Sequence, residues 1–258
     1  MEKKSKLRFI LGLLLAALAI VGVCFTRSDA VAEDAAFYNK LLFVLCLIVM
    51  IVGIVIALAG LSQKSKKVSL RKLTAAAMFA ALCYVGFAFF QIKIPVGDSS
   101  TSFHLGNVFC VLAALCIGPL WGGLAGSVGM TIGDLLDPVY ITSAPKTFVL
   151  KLGIGLIAGF VAHKIFGINK EKQRKIPLTA AVAISASAGM VFNIVADPLV
   201  GYFYKMYILG VPQDAATILA KMSAVTTSVN AVIAVIAATL FYIALRPALK
   251  KTNNLTEV

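Results

Sequence analysis

The chain has 258 residues, is 60% apolar and carries a formal charge of +13, from 24 basic and 11 acidic side chains. A mean hydropathy of +0.95, with several apolar runs longer than the ~18 residues that cross a bilayer as a helix, excludes an ordinary soluble domain, which is about 45–50% apolar. The composition predicts an all-α polytopic membrane protein, and no two-residue alternation supports a β-barrel.

Residues 1–8 are basic (Lys3, Lys4, Lys6, Arg8), and an apolar run follows from Phe9 to Phe25. Ala30-Val31-Ala32 fits a signal-peptide cleavage site. An uncleaved first helix is the preferred reading, and both leave residue 33 outside. An acidic loop (Asp29, Glu33, Asp34) precedes a second span at Leu41–Leu61. Residues 62–72, SQKSKKVSLRK, form a basic linker with no apolar face. It separates a two-helix N-terminal appendage, 1–61, from a six-helix membrane domain, 73–250, with a short tail at 251–258.

The six core spans are expected at 73–92, 105–118, 120–137, 147–166, 178–200 and 219–246. The second is short for a bilayer, which predicts a tilt or a continuation by its flanks. The connection 201–220 is amphipathic, and Tyr202, Phe203, Tyr204 and Tyr207 suit the membrane–water interface. Lysine and arginine concentrate in the N-terminal tail, the 62–72 linker, the 164–175 loop and the C-terminal end. By the positive-inside rule these segments, and both termini, are cytoplasmic. That distribution accounts for the net charge without nucleic acid. Asp98, Asp134, Asp137, Asp197 and Asp214 then fall at or near the outer surface.

Within this frame a few residues stand out. Gly122, Gly126, Gly129 and Gly133 share one helix face, and Gly155 and Gly159 form a second small-residue pair. In lipid such residues let helix backbones approach closely, so they read as packing. Lys151 is a charge set inside an apolar run, which by default faces a cavity or a partner. At similar depth lie Asp134, and Asn193 with Asp197 one turn apart, while Asn230 lies deeper in the last span. These define either a polar pocket in the outer half of the bundle or a structural ion pair of Lys151 with Asp134 or Asp197. Asp134 and Asp137 share a face and suit helix-end capping better than acid–base work, because no nucleophile accompanies them. His104 is a ligand contact or an interfacial polar residue. The pairs Ala76/Ala80 and Ala77/Ala81 mark either an internal seam or a face that accepts another protein's helix.

The five cysteines all lie in apolar runs without metal-ligand spacing. A P-loop, an H-E-x-x-H motif and a serine-triad motif are missing from the sequence, so the chain does not hydrolyse ATP by itself.

Lys93-Ile-Pro-Val-Gly97, His104-Leu-Gly-Asn107, Ala113-Ala-Leu-Cys-Ile-Gly-Pro119, Gly122-Gly-Leu-Ala-Gly126, Asp134-Leu-Leu136 and Ala144-Pro-Lys-Thr-Phe-Val-Leu-Lys151 together resemble the S components of energy-coupling factor (ECF) vitamin transporters, of the riboflavin type. The resemblance covers residues ~70–250. It implies a six-helix fold, a vitamin site near the outer face, and a gating loop over residues 93–104 that includes Lys93, Pro95, Gly97 and Asp98. It also implies docking of a transmembrane coupling subunit on Ala76, Ala77, Ala80 and Ala81, and two cytoplasmic ATPase subunits. No cofactor is called for. The expected function is capture of a water-soluble vitamin or precursor at a bacterial cell membrane, with Lys151, Asp134, Asn193, His104, Asn230 and Asp197 as pocket residues. Riboflavin leads, and thiamine precursors and pyridoxine stay open. The competing readings are a stand-alone proton-coupled transporter using Asp134 or Asp197, and a membrane enzyme.

Overall fold

The computed structural model describes residues 70–96, 99–169 and 176–251. The expected N-terminal helices, most of the 62–72 linker, Gly97, Asp98 and nearly all of the C-terminal tail lie outside these residues. Among the described residues the chain forms six α-helices and one hairpin, in the order α1 (Leu70–Ala88), β1 (Gln91–Val96), β2 (Ser99–His104), α2 (Gly106–Ile117), α3 (Pro119–Leu136), α4 (Ala144–Phe160), α5 (Leu178–Phe203) and α6 (Gln213–Lys251). A short 3₁₀ turn at Ile141–Ser143 precedes α4, and π-helical turns extend α4 over Val161–Ile165 and α5 over Tyr204–Ile208.

The helix boundaries follow local chemistry. Gly118, at φ 90°, makes the turn between α2 and α3, and Pro119 opens α3 where its missing N–H costs no hydrogen bond. At the other end of α3 the Asp137 N–H bonds the Asp134 carbonyl at 3.2 Å. The Asp137 carboxylate then accepts the Val139 N–H at 3.0 Å. α6 begins at Gln213 rather than 219, directly after Pro212 and with Asp214 in its first turn, both favourable at a helix start.

The expected gating loop is instead a two-stranded antiparallel hairpin, with Gln91 opposite His104 and Val96 opposite Ser99. Ile92, Ile94 and Val96 supply β-branched residues at alternate positions on β1, and Thr101 does so on β2. Pro95 is tolerated because a two-stranded sheet consists of edges.

Among the described residues, four helical stretches are long and apolar enough to cross a membrane: Arg71–Ala88, Ile141–Ile165, Leu178–Ile208 and Gln213–Lys250. α2 is apolar but short, and the five glycines of α3 dilute its apolar character. Large apolar side chains are turned outward along the long helices, among them Met78, Val191, Ile236 and Leu240. An aqueous surface would not favour that arrangement, whereas hydrocarbon does. The chain is a multi-pass membrane protein.

Val68–Pro198 and Lys221–Val258 form one compact unit, and Leu199–Ala220 belongs to a second. In the second, Phe203 packs with Leu199, Tyr202, Tyr204, Met206 and Tyr207. In the first, α3 is the central helix and packs against α1, α2 and α4. Its glycines make this possible. A Cβ on Gly155 of α4 would lie 2.3 Å from the Gly123 Cα of α3, and one on Gly129 would lie 2.1 Å from the Ala80 carbonyl of α1. Ala76 is buried, and Ala80 packs against the core, so this pair belongs to the internal seam rather than to an exposed face. Ala77 and Ala81 point outward beside Met78 and Leu82.

Gly155→Leu should therefore destabilise the bundle by at least the ~1–3 kcal/mol typical of overpacking, read as a lowered melting temperature in detergent. Ala77→Leu, on the outward face of α1, should melt as the wild type does. Equal melting of the two variants would refute the seam.

Candidate functional site

The site is built where the hairpin meets the helical bundle, within the first unit. β2 lies along α6. The carboxamide of Asn230 accepts the His104 N–H through Oδ1 and donates through Nδ2 to the Ser102 carbonyl, both at 3.0 Å. The Thr101 and Thr226 hydroxyls share a hydrogen bond of 2.7 Å one helical turn away. On its other flank the hairpin is tied to the α3–α4 turn. There Lys93 Nζ pairs with Asp137 at 2.5 Å and lies 5.5 Å from the centre of the Tyr140 ring. Ser100 donates to the Tyr140 hydroxyl at 2.8 Å. Asp137 is thus a turn anchor and an ion-pair partner for the hairpin. The Phe87 ring meets the His104 ring edge-on at 5.0 Å.

Beneath the hairpin sits Lys151 on α4, only 6% exposed. Its ammonium makes one long hydrogen bond, to Asn193 Oδ1 at 3.4 Å. The ion pairs with Asp134 or Asp197 open to it from sequence are not formed. Asp197 is taken by Lys146 at 2.9 Å, and it also accepts from Ser223 at 2.7 Å and Thr227 at 3.2 Å. Lys146 joins α4 to α5, and the two hydroxyls join α5 to α6.

Several buried polar atoms lack a hydrogen-bond partner within the protein: Asn193 Nδ2, beside Lys151, together with Asp134 Oδ2, His104 Nδ1 and, on α2, Asn107 Oδ1. Thr147, also buried, lies beside Asp134. Such atoms cost free energy unless something pairs with them. The set offers donors at Lys151 and Asn193 and acceptors at Asp134 and Asn107. That can hold a neutral or anionic polar group by hydrogen bonds. No group of three or more metal-ligating side chains occurs among the described residues, and Cys83, Cys110 and Cys116 are buried free thiols.

The six residues expected to line a pocket are therefore sorted into different tasks. Lys151, Asn193, Asp134 and His104 keep unused or weakly used polar atoms, whereas Asn230 is bonded to the hairpin and Asp197 to its own cluster. Residues missed at sequence level are Lys146, Asn107, Tyr140 and the hydroxyls Thr101, Thr147, Ser223, Thr226 and Thr227. One signal was available: Ser223, Thr226, Thr227 and Asn230 recur every three to four residues along one face of an otherwise apolar helix.

The arrangement is a helical membrane bundle with a polar constellation beside a hairpin. A family model described as "ECF-type riboflavin transporter, S component" matches residues 66–247, and the chain belongs to that family. Its family is one of transporter components rather than of enzymes. Two curated proteins are similar over shorter stretches. An uncharacterized protein of Pyrococcus woesei is 35% identical over 69 residues, 27% of this chain and 45% of that protein. The chloroplastic protein Fatty Acid Export 4 of Arabidopsis thaliana is 35% identical over 85 residues, 33% of this chain and 45% of that protein. The chain thus spans less than half the length of the curated relatives it matches. Among solved structures, the S component for biotin from an ECF-type ABC transporter aligns with a TM-score of 0.46 at 16% identity, over 67% of this chain and 90% of that one.

Two predictions follow from the contrasting lysines. Lys151→Met should leave the melting temperature unchanged or raise it, because it removes a buried charge without a close counter-ion. Lys146→Met should lower stability by about 3–5 kcal/mol, because it strands Asp197 in the interior; denaturation of both variants in the same detergent separates the roles.

His104 lies on the hairpin, outside the spanning helices. Burial, and then the nearby Lys151 charge, push its imidazole down to about 3, with Asp197 opposing. Folding thus favours the neutral ring. That contribution is complete above the ordinary value of 6.5 and is lost as the pH falls from there toward 3. The melting temperature should decline between pH 7 and pH 5, and His104→Gln should flatten the decline; an identical slope in the variant counts against this assignment.

Proposed function

We propose that the chain is the substrate-capture subunit of an ECF-type importer, that its cargo is a water-soluble vitamin, and that riboflavin is the first candidate. Membership of the S-component family supports the class. The observation that carries the site is Lys151, buried with one long hydrogen bond amid unpartnered polar atoms. Only a bound polar group would make that arrangement favourable. A flavin ring fits the chemistry, because it is flat and largely apolar yet presents carbonyl acceptors and an imide N–H along one edge. The acceptors suit Lys151 and Asn193, and the N–H suits Asp134.

In this reading the pocket faces outward at a bacterial cell membrane, with both termini cytoplasmic. The 91–104 hairpin closes over the vitamin. A transmembrane coupling subunit docks on the exposed Ala77–Ala81 face of α1, and two cytoplasmic ATPases supply the energy for release inside. The buried carboxylate of Asp134 makes proton-coupled transport the reading that must be tested against this one.

The test begins with the purified full chain, denatured, its released small molecules read by absorbance and mass spectrometry. A stoichiometric vitamin is expected, and titration should be about tenfold to hundredfold weaker in Lys151→Ala and Asn193→Ala, the range for losing a hydrogen bond to a charged group. Absence of any ligand, with pH-gradient-driven uptake by the chain alone in liposomes, would overturn the proposal in favour of a secondary transporter. Ala77→Leu should weaken co-purification with a coupling subunit while leaving vitamin affinity intact.

A further inference from the structure

We propose that Asn230 is the clamp that holds the β1–β2 hairpin onto the bundle, a positioning residue that controls opening rather than a contact to the bound molecule. This builds on the reading of the hairpin as a gate, and it assigns to α6 the task of keeping that gate shut.

β2 has β1 on one side only, which leaves its other edge free. Ser102 and His104 are two residues apart, so their backbone groups point to the same side of the strand. The Asn230 carboxamide bonds the Ser102 carbonyl and the His104 N–H, each at 3.0 Å. It thereby supplies one donor and one acceptor where a neighbouring strand would supply them. Asn230 is 4% exposed, and both of its polar atoms are engaged by the hairpin backbone. Thr226, one helical turn earlier, adds the bond to Thr101 at 2.7 Å. α6 therefore grips β2 at two points.

The ties on the opposite flank are of another kind. The Lys93–Asp137 pair leaves the lysine side chain 42% exposed, and exposed ion pairs contribute little. The buried clamp is the stronger attachment, so its release from α6 is the step that limits opening, while the hairpin stays joined to α1 and α2 through the chain.

The same stretch of α6 also carries Ser223 and Thr227, which bond Asp197 at 2.7 and 3.2 Å. Asp197 in turn fixes this stretch of α6 to α4 through Lys146. The clamp is thus mounted on a helix segment tied into the bundle, which lets it act as a fixed point for a moving hairpin.

The experiment is hydrogen–deuterium exchange of the full chain in detergent, without added vitamin. Asn230→Ala should speed exchange in peptides covering 91–105 by about tenfold, the factor for losing roughly one buried hydrogen bond. Peptides of α2 and α4 should be unchanged. Asn230→Asp keeps the acceptor for the His104 N–H and should lie between. If Asn230→Ala loosens the whole protein, Thr226→Val decides, with a severalfold rise confined to the hairpin expected. Wild-type hairpin exchange in a folded Asn230→Ala, or in Thr226→Val where that variant decides, overturns the clamp.

A second arm measures riboflavin binding by quenching of its fluorescence. A loosened gate should raise the association and dissociation rates together, leaving Kd less affected. A rise in dissociation alone, with hairpin exchange unchanged, would mark Asn230 as a ligand contact and overturn the proposal. If the wild type does not bind riboflavin, the cargo assignment fails, and the clamp is still decided by exchange.

Discussion

Lipid gives apolar side chains no reason to hide from it, so a bundle in a membrane must be held by contact between helices rather than by expulsion of water. In this chain the constraint is met by α3. Gly123 and Gly155 bring α3 and α4 so close that no Cβ fits between them, and Gly129 does the same against the Ala80 carbonyl of α1. The remaining geometry follows from that approach. With α4 drawn against α3, Lys151 and Asp134 share one neighbourhood, and the α3–α4 turn presents Asp137 and Tyr140 to the hairpin. A seam of glycines thereby sets how near Lys151 and Asp134 stand to one another.

The polar groups then divide by how fully they are satisfied. Asp197 has a lysine and two hydroxyls, and Asn230 has two backbone partners. These are finished interactions, and they join α4 to α5, α5 to α6 and α6 to β2. Lys151, Asn193, Asp134 and Asn107 are unfinished, with one long bond and several bare atoms among them. Buried polar groups are usually paired, so an incomplete set inside a well-ordered frame is the mark of a place kept for something else. In the proposed reading, interactions already complete contribute rigidity, and incomplete ones contribute affinity once filled. The two sets lie within a few helical turns of one another.

Much of this was legible in the sequence. Hydropathy and the placement of lysine and arginine give a multi-pass helical protein, and the six core helices fall close to the expected spans. The glycine seam follows from spacing alone, because the reason for it is steric and one-dimensional. The site was legible in part. Lys151 is conspicuous as a charge in an apolar run, but its partner is not, since Asp134, Asp197 and Asn193 lie at similar depth and only the packing decides that Lys146 takes Asp197. The hairpin was hidden for a different reason. QIKIPV and SSTSFH are short, one contains proline and the other is mostly serine and threonine, so neither reads as a strand alone, although the two residues between them, Gly97-Asp98, are a local hairpin signal. Ala76 and Ala77 show the limit of helical spacing, because adjacent small-residue pairs look alike until the neighbours are known, and one proves internal while the other faces outward.

The position of Asn230 carries this division to its consequence. It sits on the same helix face as the residues that complete Asp197, yet its partners belong to the hairpin. A residue placed in that way cannot be optimised for rigidity alone. If it held β2 too weakly the incomplete polar set would be open to water, and its unpaired atoms would be hydrated rather than available to a ligand. If it held too strongly a ligand could neither enter nor leave. Two hydrogen bonds to backbone, with none of the apolar packing that makes the helix seams permanent, give an attachment of intermediate strength. An amide pairing of this kind is neutral, so it can break and re-form without leaving a charge behind in a medium where charges are costly. A gate bordering a membrane is better closed by a carboxamide than by an ion pair, and the pairs Lys93–Asp137 and Lys146–Asp197 stand where nothing in the proposed cycle has to open between them: one at the hairpin's exposed flank, the other between helices.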